Sequence, residues 1–322
     1  MPIVSASYER RPWYLFNGHM ETIFPSIRNK GPKLNYRRER LELEDGDFLD
    51  LDWLDGSSQQ LLVVTHGLEG NSERHYVKRP MKLFRDLGWT ALAWNCRGCS
   101  GEVNRLPRFY HHGATEDLDA VISHALAKGF NQVVLLGFSM GGSMTLKYLG
   151  ESHQRPEEIK GAVTFSVPCN LRDSADILSK KSNRFYENRF LKKLKAKVSA
   201  KAELISSLDV SGLDDIQDFE TFHQNYTVPL HGFSTLDDFY EQATCDQFLG
   251  GIKIPTLIVN AQNDPLLGDK CFPFDQASRT DNLFLEAPAL GGHVGFTISG
   301  NISQSWMEYR MQSFISEQVG LL

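Results

Sequence analysis

The sequence predicts an α/β protein in which a mainly parallel sheet carries helices on both faces. Short apolar runs alternate with amphipathic segments over the first half of the chain, which is typical of parallel strands joined by crossover helices. One of these runs ends in a serine that opens the next helical segment. The length of 322 residues allows one large domain with an insertion, or two smaller domains.

The elements of the first half follow one another closely. Residues 1–35 mix aromatic residues and prolines with polar ones, and we expect an irregular segment wrapped on the core. Tyr36–Leu54 is predicted to form a hairpin around Asp45-Gly46. The elements predicted next are a strand at Leu61–Thr65, a helix at Glu73–Leu87, a strand at Trp89–Asn95, a helix at Thr115–Ala127, a strand at Gln132–Phe138, a helix at Met140–Gly150 and a strand at Gly161–Val167.

The alternation stops near residue 170. Residues 170–247 contain helix-like segments rich in aromatic residues and no convincing buried strand. We expect them to form a helical lid over a pocket, inserted into a core domain made of residues 1–169 and 248–322. Beyond the insertion, strands are predicted at Ile254–Ala261 and Asn282–Ala287, and a last helix at about Ser303–Gln318.

Composition narrows the class of protein. A net charge of −6 and a pI near 5.9 argue against nucleic acid as a partner. No apolar run approaches the roughly 18 residues of a membrane-spanning helix, and the first residues lack the pattern of an export signal. The five cysteines, an odd number in a long chain, favour reduced thiols. We therefore expect a cytoplasmic protein.

The stretch Gly137-Phe138-Ser139-Met140-Gly141 carries the predicted nucleophile. A serine in a tight turn between strand and helix has a strained backbone, and its hydroxyl projects from the sheet. Glycine neighbours are needed because the strand and the helix nearly touch. The same pentapeptide also occurs in unrelated turns, but the strand before it and the helix after it favour Ser139 as a nucleophile.

A serine nucleophile needs a base and an acid. Of the ten histidines, we select His293, because its glycine-rich loop GGHVGF lets an imidazole project over the strand ends. Asp264 follows the strand TLIVNA at the same sheet edge and is the predicted acid, although an Asn-Asp-Pro turn has a purely structural use as well. Asp275 and Glu286 are the alternative acids.

Two backbone amides are expected to stabilise the negatively charged oxygen of the reaction intermediate. One is the N–H of Met140, directly after the nucleophile. The other is assigned to Leu68 in the loop His66-Gly67-Leu68-Glu69-Gly70, which follows the strand Leu61–Thr65. His66 is expected to order this loop rather than to take part in the chemistry.

Five motifs, HGLEG, NCRGCSG, GFSMGG, NAQNDP and GGHVGF, together and in this order resemble the α/β-hydrolase superfamily. The stretches NGHMETIFPS and FSTLDDFYEQAT resemble more narrowly its YheT-like branch, the type-four AB-hydrolase family. The resemblance extends from about residue 10 to 316. It implies an α/β-hydrolase fold and a serine hydrolase of carboxylic esters, with Ser139, Asp264 and His293 as the catalytic triad.

Other polar groups carry no predicted chemistry. Cys96-Arg97-Gly98-Cys99 has the spacing of a redox or zinc pair, but no second pair accompanies it, and the family pattern has a similar turn here. Neither His111-His112 nor His19 with Glu21 forms a plausible set of metal ligands. We predict no metal and no cofactor.

The segment Leu191–Glu203 has five lysines around an apolar stripe. Such a helix could contact an anionic membrane or the head group of an acyl substrate. We expect instead a solvated helix of the lid.

The predicted function is that of a carboxylesterase that cleaves small-molecule esters with apolar acyl groups through an acyl-serine. Two alternatives remain open: an acyltransferase that uses the same acyl-serine, and a binding module that has kept the pocket without turnover.

Overall fold

The computed structural model describes residues 3–151, 154–298 and 305–322. Within these ranges one sheet contains nine strands. The strands are β1 (Ile3–Val4), β2 (Arg37–Glu42), β3 (Phe48–Leu54), β4 (Gln60–Thr65), β5 (Thr90–Asn95), β6 (Gln132–Phe138), β7 (Ile159–Phe165), β8 (Thr256–Val259) and β9 (Leu283–Glu286).

The strand order across the sheet is β1-β9-β8-β7-β6-β4-β5-β3-β2. Only β3 runs against its two neighbours, β2 and β5, and every other pairing is parallel. Most residues of β3 to β8 are buried, because helices cover both faces of the sheet. The prediction of an α/β-hydrolase fold with a mainly parallel sheet is thus confirmed.

The helices alternate with the strands up to β7 and then cluster. They are α1 (Gly18–Arg28), α2 (His75–Asp86), α3 (Thr115–Ala127), α4 (Met140–Gly150), α5 (Leu171–Leu178), α6 (Arg184–Ala202), α7 (Phe219–Phe222), α8 (Val228–His231), α9 (Leu236–Ala243), α10 (Phe274–Arg279) and α11 (Trp306–Phe314). Helices α5 to α9 lie between β7 and β8, in the segment that the sequence predicts to be an insertion.

Helix α1 is the main difference from the predicted elements, because we expected residues 1–35 to be irregular. Asn17 caps the helix by accepting a hydrogen bond from the amide of Met20. Its buried residues are Gly18, Glu21 and Pro25, which have helical spacing but are not large apolar side chains. Hydrophobic periodicity therefore gave no signal, and Pro25 argued against a helix.

Several element ends also differ from the prediction by a few residues, and two of them have a clear local cause. Strand β7 ends at Phe165, because Ser166 adopts a φ of 55° that an extended strand cannot continue. Helix α11 starts at Trp306, where Ser305 and Glu308 form a capping box. The predicted start at Ser303 lies outside the described residues.

The inserted helices share a core with the sheet. Leu191, Leu194 and Val198 of α6 are buried in the same apolar cluster as Trp94 and Leu135 of the sheet. Helix α6 is therefore packed against the sheet through an apolar face.

The lysines of α6 are not all solvated, so the expectation of a solvated helix is wrong for one face. Lys192 is exposed. Lys201 is fully buried, and its ammonium donates to the carbonyl oxygens of Leu106 at 2.6 Å and Arg108 at 3.3 Å. Burial lowers the pKa of Lys201 to about 8. Lys193, Lys197 and Lys201 lie at every fourth position of α6. Unlike Lys192, they face the main body of the protein.

Candidate active site

Ser139 lies at the turn between β6 and α4. Its backbone has a φ of 54° and a ψ of −121°, a strained conformation for a residue with a side chain. The turn is tight: a Cβ added to Gly137 would lie 2.5 Å from the carbonyl oxygen of Gly141. Only glycine fits there, which explains how β6 and α4 approach each other closely enough to present the serine hydroxyl.

The structure brings the predicted acid and base to Ser139. The Oγ of Ser139 is 3.0 Å from the Nε2 of His293, and the Nδ1 of His293 is 2.8 Å from the Oδ2 of Asp264. The Asp264 carboxylate is fully buried, and its Oδ1 accepts a hydrogen bond from the amide of Leu266 at 2.9 Å. A buried carboxylate held in this way suits an imidazole that must carry a proton on Nδ1 and accept one on Nε2.

The two alternative acids lie elsewhere. Glu286 accepts hydrogen bonds from Ser7 and forms an ion pair with Arg310. Asp275 is exposed on α10. Of the three candidate acids, Asp264 is thus the one that contacts His293.

The first turn of α1 holds the loops of Asp264 and His293 together. One oxygen of the buried Glu21 carboxylate accepts from the amide of Gly291 at 3.0 Å, and the other accepts from the side chain of Asn263. Thr22 accepts a hydrogen bond from the amide of His293 at 2.9 Å. Glu21 and Thr22 belong to the stretch NGHMETIFPS, and the sequence alone assigned them no role in the site.

The loop that carries Leu68 lies against the nucleophile. A Cβ added to Gly67 would be 3.1 Å from the Cβ of Ser139. His66 supports this loop, since its Nε2 accepts from the amide of Cys96 at 3.1 Å. Met140 is the first residue of α4, so its amide has no carbonyl partner within the helix. Met140 thus directly follows Ser139, and Leu68 lines the same pockets as Ser139.

Glu69, directly after Leu68, has a φ of 53° and several partners. Its amide donates to the Tyr110 hydroxyl at 2.9 Å, and its carboxylate accepts from that hydroxyl at 2.6 Å. The ammonium of Lys197 from α6 lies 2.7 Å from the same carboxylate. The backbone carbonyl of Glu69 accepts from Arg74 and from Lys193, each at 3.0 Å. These contacts were not predicted from the sequence. The spacing of four residues between lysines of α6 was a usable signal, because it places them on one face of the helix.

Two pockets meet at Ser139, and we call them the inner arm and the outer arm. The inner arm is lined mainly by buried apolar side chains of the insertion and its flanks: Pro168, Leu171, Leu178, Phe219, Tyr240 and Leu267. The outer arm is lined by Ile23, Tyr76, Phe185, Tyr186 and three cations, namely Arg74, Arg189 and Lys193. Leu68, Ser139, Phe190, Leu266 and His293 line both arms.

The inner arm also contains polar side chains, among them His112 and His223. Burial lowers the pKa of His112 to about 4 and that of His223 to about 3. Both imidazoles are therefore uncharged near pH 7, and the inner arm remains a pocket for apolar groups.

Among the described residues, no group of three or more His, Cys, Asp or Glu side chains could hold a metal ion. In the same ranges, no helix is long and apolar enough to cross a membrane.

The sheet order and the serine turn define the chain as an α/β hydrolase. The sequence profile of a hydrolase family described as serine aminopeptidase S33 matches residues 56–271. The chain belongs to this class, and within it to the YheT-like family. YheT of Escherichia coli strain K12, assigned as an esterase, is 31% identical over 311 residues, which cover 93% of this chain and 90% of YheT.

Other similar proteins support the same class. The phospholipase ABHD3 of Mus musculus is 30% identical over 308 residues, which cover 92% of this chain and 74% of ABHD3. Among solved structures, an esterase of Pyrococcus furiosus has a TM-score of 0.58 at 16% identity, covering 90% of this chain and all of that one. This structural likeness concerns the fold, and the sequence relatives support a serine hydrolase of the α/β class.

Proposed function

We propose that this protein is a carboxylesterase in which Ser139 is the nucleophile, His293 the base and Asp264 the acid. The observation that carries the proposal is the continuous contact from the serine hydroxyl through the imidazole to a buried carboxylate, with distances of 3.0 and 2.8 Å. A serine hydroxyl becomes a good nucleophile only when an adjacent base takes its proton.

In the first half of the reaction, His293 accepts the proton of Ser139 on Nε2 while its Nδ1–H donates to Asp264. The serine oxygen bonds to the ester carbonyl carbon, and the carbonyl oxygen becomes an oxyanion. The N–H groups of Leu68 and Met140 donate to that oxyanion. The carbon–oxygen bond to the alcohol then breaks, and His293 gives its proton to the leaving alcohol.

In the second half, water attacks the acyl-serine. His293 takes a proton from the water, and a second oxyanion forms in the same place. The bond to the Ser139 oxygen breaks, the serine regains its proton from His293, and the carboxylic acid leaves. An acyltransferase would follow the same steps with an alcohol, amine or thiol in place of water.

The inner arm supports a preference for apolar acyl groups. Its apolar lining comes largely from residues 170–247, which we propose to act as a lid over the site. Each buried methylene contributes about 0.8 kcal/mol, so an acyl chain that fits the arm gains affinity with each added carbon. A hexanoate ester should therefore have a higher kcat/KM than the matching acetate ester, and equal values would contradict an apolar acyl pocket.

The cytoplasmic location stays a prediction.

Labelling by a fluorophosphonate probe tests the nucleophile. Ser139→Ala should abolish labelling and lower turnover of p-nitrophenyl esters by several orders of magnitude. The matched control is Ser143→Ala. Ser143 lies one helical turn further along α4, and its hydroxyl donates to the carbonyl of Pro168. Full labelling of the Ser139 variant would refute the assignment.

Product analysis tests the two alternatives. Release of free acid in the presence of added glycerol supports hydrolysis, whereas acylated glycerol as the main product supports acyl transfer. Binding of esters by the wild-type protein with no labelling and no product would support the binding module.

A further inference from the structure

We propose that the outer arm binds an anionic group on the alcohol portion of the substrate, and this inference depends on the proposed esterase function. The substrate class would then be an ester of an apolar acid with an alcohol that carries a phosphate or a carboxylate. Three cations in the lining of the outer arm, close to one another and without a carboxylate partner, carry the inference.

The cations lie close together. The side chains of Arg74 and Lys193 converge on one oxygen, the backbone carbonyl of Glu69, at 3.0 Å each. Burial lowers the pKa of Lys193 and the positive charge of Arg74 lowers it further; Glu69 acts in the opposite direction, and Arg189 again lowers it. Like charges at such range repel one another, so a bound anion would relieve an unfavourable arrangement.

The Glu69 carboxylate attracts this group without forming an ion pair with it. The charge of this carboxylate raises the pKa of Lys193, but the carboxylate is itself bound by Lys197 and Tyr110. Within the described ranges, neither Arg74, Arg189 nor Lys193 forms an ion pair with a carboxylate within 4.0 Å. This local excess of positive charge contrasts with the net charge of −6 of the whole chain.

The three side chains also have donors to spare. A guanidinium has five N–H donors and an ammonium three, and the Glu69 carbonyl uses one donor of Arg74 and one of Lys193. Arg189 is exposed at the outer arm. Phosphate and carboxylate oxygens accept charge-assisted hydrogen bonds from such groups.

The contrast between the two arms orients the substrate. An anion placed in the apolar inner arm would lose its hydration without compensation, whereas an acyl chain loses nothing there. The acyl group therefore occupies the inner arm, and the alcohol with its anion occupies the outer arm. His293 borders both arms, where it can protonate the leaving alcohol.

Three esters with the same acyl group test this assignment: 1-butyrylglycerol, its 3-phosphate, and the butyrate ester of glyceric acid. We expect one or both anionic esters to exceed the neutral ester in kcat/KM by about tenfold, mainly through a lower KM. The advantage should shrink as NaCl is raised from 0.05 to 0.5 M, because salt screens exposed charges. The better of the two anionic esters identifies the anion.

Variants of residues on α6 test which side chains bind the anion. Arg189→Gln should reduce the ratio of anionic to neutral kcat/KM by about two- to fivefold, as expected for one partly exposed ion pair. Lys192→Gln, an exposed lysine on the same helix that does not line the outer arm, should leave the ratio unchanged. The double variant Arg189→Gln with Lys193→Gln should lose most of the preference.

The outcomes separate the two proposals. Equal kcat/KM for all three esters, or a preference for the neutral ester, overturns this inference and leaves the esterase intact. A preference that survives the double variant also overturns it, because other residues would then bind the anion. If none of the esters is cleaved and the probe does not label Ser139, the proposed function itself fails.

Discussion

Replacement of Lys197 by methionine should destabilise the protein strongly. The side chain of Lys197 is 7% exposed, and its ammonium is 2.7 Å from the Glu69 carboxylate, which is 9% exposed. Burial opposes the charged form of Lys197, but Cys99 and Glu69 outweigh it, so its pKa is raised. Methionine keeps most of the volume and removes the charge. Among the described residues, the Glu69 carboxylate then keeps the Tyr110 hydroxyl as its hydrogen-bond donor and has no cation paired with it.

The expected loss follows from the burial of this pair. Removing one partner of a buried ion pair costs about 3–5 kcal/mol. Unfolding entropy is about 2.1 cal/mol/K per residue, so for 322 residues the melting temperature should fall by about 4–7 °C. Lys192→Met on the exposed side of the same helix should change stability by less than about 0.5 kcal/mol, or about 1 °C.

Thermal melting of four proteins checks this reasoning: the wild type, Lys197→Met, Glu69→Gln and the double variant. If the penalty comes from an unpaired buried carboxylate, the double variant melts above Lys197→Met, because the amide at position 69 carries no charge. The turnover of a neutral ester should fall in Lys197→Met as well, since Glu69 follows Leu68. A Lys197→Met protein that melts like Lys192→Met would refute the assignment, and so would strictly additive losses in the double variant.

Two further predictions concern the serine turn and the response to acid. Gly137→Ala should lower the free energy of unfolding by about 1–3 kcal/mol or more, because the new Cβ meets backbone at 2.5 Å, whereas Gly250→Ala, with open space, should be nearly neutral by chemical denaturation. Burial lowers the pKa of His223 and His231 to about 3, so below pH 6.5 the unfolded chain binds protons that the native state does not. Stability should therefore fall from pH 6.5 toward pH 3 by up to about 1.4 kcal/mol per unit and histidine. His231→Phe should show a shallower fall in urea titrations at pH 7.5 and 5.5, and an unchanged slope would contradict this assignment.

The sequence predicted much of the sheet and the members of the site for local reasons. The hydrophobic periodicity that predicts a strand or a helix is visible within a single element. The candidates Ser139, Asp264 and His293 each lie in a short motif that follows a strand. Parallel strands bring their carboxyl ends to one edge, so residues at successive strand ends become neighbours. Their mutual contacts are present in the structure, while their catalytic roles stay a prediction.

The parts that were missed depend on contacts between distant segments. Glu21 supports a loop about 270 positions later through the amide of Gly291. Lys197 reaches Glu69 from the insertion. A buried charge has the same local pattern as an exposed one, and only the fold reveals that its partner lies in another element. Helix α1 was missed because its buried stripe is not made of large apolar residues.

The support of the His293 loop by α1 has a consequence for the order in which the chain is made. Synthesis produces Glu21 and Thr22 about 270 residues before their partners Gly291 and His293. Strand β1 likewise pairs with β9, which is synthesised much later. A nascent chain can fold its serine turn early, but the contacts between α1 and the His293 loop form only after residue 293 has been made. A chain that stops before His293 would therefore lack the proposed base and the partners of Glu21 and Thr22.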